Sequence, residues 1–173
     1  MIRNDELLIR VMTHEDLEKM VSWLNDPKVI QYYEERPLNQ DEVLEKYGPR
    51  IEGKHYVSPC IVEFNNKSIG YIQYYEVQET EMKTYGYPLK QHIFGIDQFI
   101  GETELWGKGL GTSMIVLMLR YLSKTKGAFT VVLEVKTKNS RAISCYEKCG
   151  FRKIKKLNND LILMEWIKEK VWH

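Results

Sequence analysis

The sequence predicts an α/β (α+β) fold: a mixed, mostly antiparallel twisted sheet with a central βαβ crossover and flanking helices. Three observations lead there. First, the β-rich segments Tyr56–Phe64, Ser68–Val77 and His92–Ile100 are separated by only an Asn65-Asn66-Lys67 turn and a polar, acidic stretch around 79–90. Second, the last of these strands runs through a glycine-rich loop and an apolar helix into the β-branched run Thr130–Val135. Third, 173 residues with 43% hydrophobic and 28% charged content suffice for one core, and no Pro/Gly/Ser-rich linker or repeat interrupts them. One domain over residues 1–173 is expected.

The elements follow in order. Leu7 to Met12 reads as a strand. Thr13 stands three residues before Asp16 as a capping-box-like start for a helix with apolar positions Leu17, Met20, Val21 and Leu24, and Pro27 is expected to stop it. A second helix is expected from Gln40 to Tyr47, capped by Asn39 and ended by Gly48-Pro49. The two asparagines of the 65–67 turn suit left-handed positions in an antiparallel hairpin. A helix from near Gly109 to before Gly127 carries the apolar run 114–122. Thr130 to Val135 is a strand, Ser140 to Lys148 a helix closed by Gly150, and Phe151–Lys156 with Leu161–Ile167 a final hairpin around Asn158-Asn159-Asp160.

Composition excludes several classes. Lys+Arg number 25 against 24 Asp+Glu, a net charge of +1 that gives no general reason to expect nucleic acid or a membrane surface as partner. The sum hides a division: residues 1–104 carry 11 basic and 19 acidic side chains, residues 105–173 carry 14 and 5. Arg3, Asp5, Glu6 and Arg10 interrupt any signal-peptide core, and the longest apolar run, Met114–Leu119, falls far short of the roughly 20 residues of a membrane helix. A soluble, cytoplasmic protein is expected. Three cysteines, Cys60, Cys145 and Cys149, cannot all pair within one chain and suit a reducing compartment. Cys145 and Cys149, four apart, share a helix face and read as two small half-buried residues, against a catalytic thiol or metal pair. His14, His55, His92 and His173 lack metal spacing, so no metal is expected.

Leu105-Trp106-Gly107-Lys108-Gly109-Leu110-Gly111-Thr112 lies between a strand and a helix. Glycines there let backbone approach a ligand, and a helix start aims unpaired N–H groups at it, so a phosphate is a suitable guest. The spacing is not the GxxxxGK[ST] of a P-loop. Nor is it the GxGxxG of a dinucleotide fold, and no βαβ unit opens the chain.

This loop, the strand Val131–Val135, and Asn139-Ser140-Arg141-Ala142-Ile143 leading to Tyr146-Glu147-Lys148-Cys149-Gly150-Phe151 resemble the GCN5-related N-acetyltransferase (GNAT) superfamily. Phe94 to Glu102, Trp23-Leu24-Asn25 and Ile69 to Gln73 resemble, within it, the aminoglycoside 6'-N-acetyltransferases of antibiotic resistance, over nearly the whole chain. The resemblance implies a GNAT fold with acetyl-CoA as cosubstrate. Its pyrophosphate would lie on the amides of Gly107, Lys108, Gly109, Leu110, Gly111 and Thr112. Asn139, Arg141 and Ala142 would hold the cofactor arm, Gln98, Phe99 and Ile100 would border it, and Tyr146 would face the sulfur. Trp106, counted among the residues against the cofactor, departs from the Gln or Arg usual there; the departure bears on one side-chain clamp and leaves the backbone cradle intact.

Acetyl transfer to an amine needs a neutral amine, a stabilised oxyanion and a protonated leaving thiolate. Asp97, in an apolar strand, is the candidate base and Tyr146 the candidate acid; backbone N–H groups near Gln98 and Phe99 are candidates for polarising the thioester. For a kanamycin- or tobramycin-like polycation, Glu76, Glu79, Glu81, Asp97 and Glu134 are candidate charged contacts, and Tyr32, Tyr33, Tyr47, Tyr85 and Tyr87 candidate flat walls. Glu134 takes its place from the resemblance. The expected partners are the aminoglycoside and acetyl-CoA, with no nucleic acid or membrane, for a monomer or homodimer. The alternatives are a GNAT enzyme acting on a protein N-terminus, ribosomal protein or polyamine, and a non-catalytic acyl-CoA-binding module.

Overall fold

A computed structural model describes residues 2–34 and 36–169. His173 lies outside them. The described strands are β1 (Ile2–Arg3), β2 (Leu7–Val11), β3 (Ser58–Phe64), β4 (Lys67–Glu76), β5 (Ile93–Ile100), β6 (Thr130–Lys136), β7 (Arg152–Lys156) and β8 (Leu161–Ile167). The helices are α1 (Leu17–Trp23), α2 (Pro27–Tyr33), α3 (Gln40–Ile51), α4 (Glu79–Tyr85), α5 (Leu110–Thr125) and α6 (Ser140–Lys148). The strands form one sheet in the order β1-β2-β3-β4-β5-β6-β8-β7. β5 and β6 pair in parallel and every other neighbouring pair is antiparallel. The predicted meander and central crossover are present, with α5 as the crossing helix. The 65–66 turn has both asparagines at positive φ, 50° and 62°, the geometry of a tight two-residue hairpin.

Four expectations need correction. Pro27 does not merely end α1; it opens α2, because a proline at the first helical position gives up an N–H that had no partner anyway, and the Asp26 side chain accepts from Lys28 N–H at 2.9 Å. α3 runs past Gly48 and Pro49 to Ile51. Pro49 removes one hydrogen bond, but Val43 and Tyr47 are fully buried beneath the helix, and Glu52 N–H still reaches the Gly48 carbonyl at 3.0 Å. The polar stretch after β4 contains α4, whose buried face is only Met82 and Tyr85 and which ends at Gly86 with φ 84°. A short β1 precedes the first expected strand.

Strand alternation divides the core. Ile72, Ile96, Ile100, Val131, Leu133 and Val135 turn to one face, under α5 and α6. Ile61 and Tyr71 turn to the other, under α1 and α3, while Ile93, Val132 and Leu163 meet α4 on that same side. Between these last two clusters lies an uncovered strip of sheet. Its near wall depends on Trp23, which packs edge-on to Phe99 at 5.9 Å and lies directly over Gly101. A Cβ on Gly101 would meet the indole at 2.3 Å. Gly101→Ala is therefore expected to destabilise the fold by about 1–3 kcal/mol through overpacking, measured as a lower midpoint of denaturant unfolding; an unchanged midpoint would show that Trp23 moves freely.

Candidate active site

The parallel pairing of β5 and β6 covers only Ile93↔Thr130, Phe94↔Val131 and Gly95↔Val132. Beyond Gly95 the strands part, although β5 stays paired to β4 as far as Ile100. The gap opens into a cavity of about 700 Å³ that reaches both faces of the sheet. Gly101 N–H bonds to Ile69 O and Val77 N–H to Ile93 O, so by antiparallel alternation Asp97 and Phe99 spend their backbone groups on β4. Ile96, Gln98 and Ile100 turn theirs to the open edge. The Ile100 carbonyl there accepts from the Trp106 indole N–H at 2.8 Å, while the Gln98 N–H faces the gap. The expectation for Phe99 is thus corrected: its N–H belongs to the sheet, and its ring packs on Trp23, Tyr33 and Tyr71.

On the α5/α6 face, Gly107 and Gly109 have φ of 78° and 81°, with open space where a Cβ would point. They bend the chain into the start of α5. Gly109 offers no side chain to cap that helix, and its first turn carries no acidic residue, so the N–H groups of Leu110, Gly111 and Thr112 have no partner within the helix. The opening of a 16-residue helix directed into a cavity favours an anion there. Arg141 stacks over the Trp106 ring at 3.8 Å, and Asn139 caps α6 by accepting from Ala142 N–H at 3.2 Å. The Tyr146 hydroxyl accepts from the Gln98 side-chain amide at 2.7 Å, which leaves its own proton free to donate. Burial pushes the Tyr146 phenol well above its usual range.

On the opposite face stand Asp97 and Glu134, on the two parting strands. Burial pushes the Asp97 carboxyl up, opposed by hydrogen bonds from Gln73 and Tyr75. The Gln73 amide donates to Asp97 at 2.8 Å, and its carbonyl oxygen accepts from Arg50 at 2.7 Å and from the Tyr71 hydroxyl at 2.6 Å. Both acceptor positions of Gln73 are filled by donors, which fixes its N–H₂ on Asp97. Tyr75 reaches Asp97 because its partner across the strands is Gly95; a Cβ there would lie 2.5 Å from the ring. Glu134 is also pushed up by burial, against the hydrogen bond it accepts from Tyr85 at 2.8 Å, with Asp97 and Glu81 adding repulsion.

The model of the acetyltransferase (GNAT) domain family matches residues 12–159. The chain belongs to the GNAT acetyltransferase family. Aminoglycoside N(6')-acetyltransferase type 1 of Klebsiella pneumoniae is 31% identical over 153 residues, 87% of this chain and 76% of the relative. The solved structure of aminoglycoside acetyltransferase AAC(6')-Ib with coenzyme A and kanamycin superposes with a TM-score of 0.77 at 26% identity, over 94% of this chain and 95% of that one. The AAC(6')-Ib complex with ribostamycin and coenzyme A gives 0.79 at 27%, over 95% and 94%. The chain is accordingly an acetyl-CoA-dependent N-acetyltransferase with the GNAT fold.

The GNAT cleft gathers most of the sequence candidates. Asp97, Gln98, Phe99, Ile100, Trp106, Gly107, Gly109, Gly111 and Thr112 line it, as do Asn139, Arg141, Ala142, Tyr146, Glu134, Tyr32 and Tyr33. Others it does not. Lys108 is exposed outside the cavity and the Leu110 side chain is buried in the core, as helical periodicity requires. Tyr47 is fully buried against Tyr71, and Tyr85 is buried as the donor that holds Glu134, so neither is a wall. Glu76 is exposed beside a separate hollow at the end of β4, and Glu79 pairs with Lys83 along α4 at 3.4 Å. Glu81 is half-buried behind Glu134, and Tyr87 bonds to Glu165. The sequence reading missed Gln73, Arg50 and Tyr75, and the Lys46–Glu34 ion pair at 2.5 Å on the cleft rim. A glutamine in the apolar run Ile69–Gln73 was the available signal. Among the described residues no group of three His, Cys, Asp or Glu could hold a metal, and no helix is long and apolar enough to cross a membrane.

The Gln73 amide favours the ionised form of Asp97, so Gln73→Leu is expected to move the Asp97 titration midpoint, followed by carboxyl NMR, to higher pH. An unmoved midpoint would detach Gln73 from the carboxylate.

Proposed function

We propose that this chain transfers the acetyl group of acetyl-CoA to the 6'-amino group of kanamycin- or tobramycin-like aminoglycosides, and so confers resistance to them. The observation that carries the reading is the open, acidic strip on one side of the parted strands, with half-buried Asp97 at its floor and exposed Glu134 beside it, facing an anion-binding helix start on the other. A polycation and a polyanionic thioester enter from opposite faces and meet in the gap. The names of the curated relatives and the kanamycin and ribostamycin complexes of AAC(6')-Ib support the substrate class. Three cysteines without a disulfide suit a reducing, cytoplasmic setting.

The steps follow from the side chains. Acetyl-CoA lays its pyrophosphate on the amides of Leu110, Gly111 and Thr112, beside the Trp106–Arg141 stack, and its thioester beside β5. The Gln98 backbone N–H, on the open edge, donates to the thioester carbonyl and to the oxyanion that replaces it. Glu134 and Asp97 attract the ammonium groups of the drug, and Tyr32 and Tyr33 flank it. Asp97 takes a proton from the 6'-ammonium, the free amine attacks the carbonyl, and the Tyr146 O–H, left free by Gln98, protonates the departing thiolate; the nitrogen gives up its second proton to solvent as the amide forms, and solvent returns a proton to Tyr146.

Asp97 must be ionised to act, and burial places its pKa above the ordinary carboxylate value. Turnover should therefore rise with pH through that raised value. Asp97→Asn should lower kcat by about 10²–10⁴-fold and abolish this acidic limb; an intact pH profile would remove the base role. Tyr146→Phe should slow turnover with little change in binding of either substrate, and full activity would make Tyr146 a packing residue. A panel of acetyl-CoA consumption should show turnover with 6'-amino drugs and none with 6'-hydroxyl drugs, peptides or spermidine. Preference for spermidine or a peptide would move the chain to another amine, and cofactor binding without turnover would make it an acyl-CoA-binding module.

A further inference from the structure

Two thiols take no part in this chemistry. Cys145 and Cys149 stand one turn apart on α6, so their Cβ atoms face the same way about 5–6 Å apart. Both converge on Thr112, in the first turn of α5. Cys145 Sγ lies 3.4 Å from the Thr112 hydroxyl, and Cys149 Sγ lies 3.9 Å from the Thr112 carbonyl oxygen. Cys145 also sits against Gly111, where a Cβ would be 3.7 Å from its sulfur, and lines the cavity beside the unpartnered amides. Both side chains are half-buried, whereas Cys60 is buried in the core and burial pushes its thiol up to about 12. A hydrogen bond from Cys149 holds the Cys145 thiol down at about 6 despite burial, with Thr112, Lys148 and Arg141 acting in the same sense, while Cys149 is driven up.

The described residues add no third metal-ligating side chain to this pair, so it lacks the donor set of a tetrahedral zinc site. What two adjacent sulfurs on a half-open helix face do fit is a soft centre that takes two thiolates. We infer that Cys145 and Cys149 form a dithiol site that is bridged covalently by trivalent arsenicals, and that the bridge closes the cofactor end of the cleft. An organoarsenic(III) oxide, R–As=O, condenses with the two S–H groups to give R–As(S–)₂ and one water. Two As–S bonds replace two S–H bonds, the oxygen leaves with both protons, and no oxidation state changes. The bridged group occupies the space at Thr112 and Gly111, where the cosubstrate pyrophosphate is proposed to lie; the closure rests on that reading.

The test uses the full chain and phenylarsine oxide. Intact mass should show one phenylarsenic per chain with two of the three thiols lost, and acetyl transfer should fall at least tenfold. A small dithiol should restore activity where excess monothiol does not, and saturating acetyl-CoA should slow addition at least tenfold. Cys149→Ser should still transfer acetyl groups and should give only an adduct that monothiols reverse. No bridged adduct on the unmodified chain, an adduct involving Cys60, unchanged acetyl transfer after bridging, or no protection by acetyl-CoA would each overturn the inference. Failure of the parent reading would show separately, as absence of acetyl transfer by untreated protein.

Discussion

The structure turns on where two parallel strands stop pairing. β5 and β6 are held together through Gly95 and Val132 and then separate, while each keeps its other neighbour. A backbone edge left open inside a sheet would ordinarily be a liability, because an unpaired buried N–H or C=O is expensive. Here the edge is occupied piece by piece. The Trp106 indole takes the Ile100 carbonyl, and the Gln98–Tyr146 side-chain bond stands across the gap. The Gln98 N–H remains for a ligand. Since β5 alternates its side chains, the residue before it, Asp97, faces the opposite side of the sheet. One parting of strands therefore creates a passage, a free N–H on the open edge where the proposed oxyanion forms, and on the far side the carboxylate proposed as base.

Charge is sorted by the same geometry. The sequence is acidic through residue 104 and basic after it, and the fold converts this linear division into a division of faces. Asp97 and Glu81 lie on the α3/α4 side, joined there by Glu134 from the basic segment, and the α5 opening with Arg141 and Lys148 lies on the other. The sorting is incomplete for a physical reason. Arg50 and Lys46 stand on the acidic side, but Lys46 is paired with Glu34 and Arg50 is spent on Gln73. Their effect is to hold neutral and anionic groups in place, so the Asp97 carboxylate is supported by hydrogen bonds without being neutralised by a direct ion pair.

The parts of this site that lie along one continuous segment were legible in the sequence. The glycine loop with its helix start, the Asn139-to-Phe151 helix and the Asp97 strand each carry their own local signature. The parts that depend on two distant segments meeting were not. Gln73 and Arg50 are 23 residues apart on a strand and a helix, and Arg50 reaches the cleft only because α3 continues through Pro49, which local propensity reads as a stop. Tyr75 reaches Asp97 only because Gly95 has no side chain. Tyr47 and Tyr85 show the reverse error: aromatic residues near the site in sequence terms were read as walls, whereas burial beneath α3 and α4 makes them supports. α2 and α4 were missed because they bury so little, Val29 alone in α2 and Met82 with Tyr85 in α4, that no apolar period shows, whereas α1, equally short, displays one through Leu17, Met20, Val21 and Leu24.

In the proposed mechanism the open edge of β5, at Gln98, is the point where the cosubstrate is held. Residue-resolved amide hydrogen exchange with and without acetyl-CoA tests it directly, because Gln98 and Phe99 are adjacent in sequence and opposite in bonding. The Gln98 N–H should gain protection on cofactor binding while the Phe99 N–H, already bonded within the β4–β5 pair, stays as it was. Protection of Phe99 alone, or no change at Gln98 in a chain that binds acetyl-CoA, would contradict it.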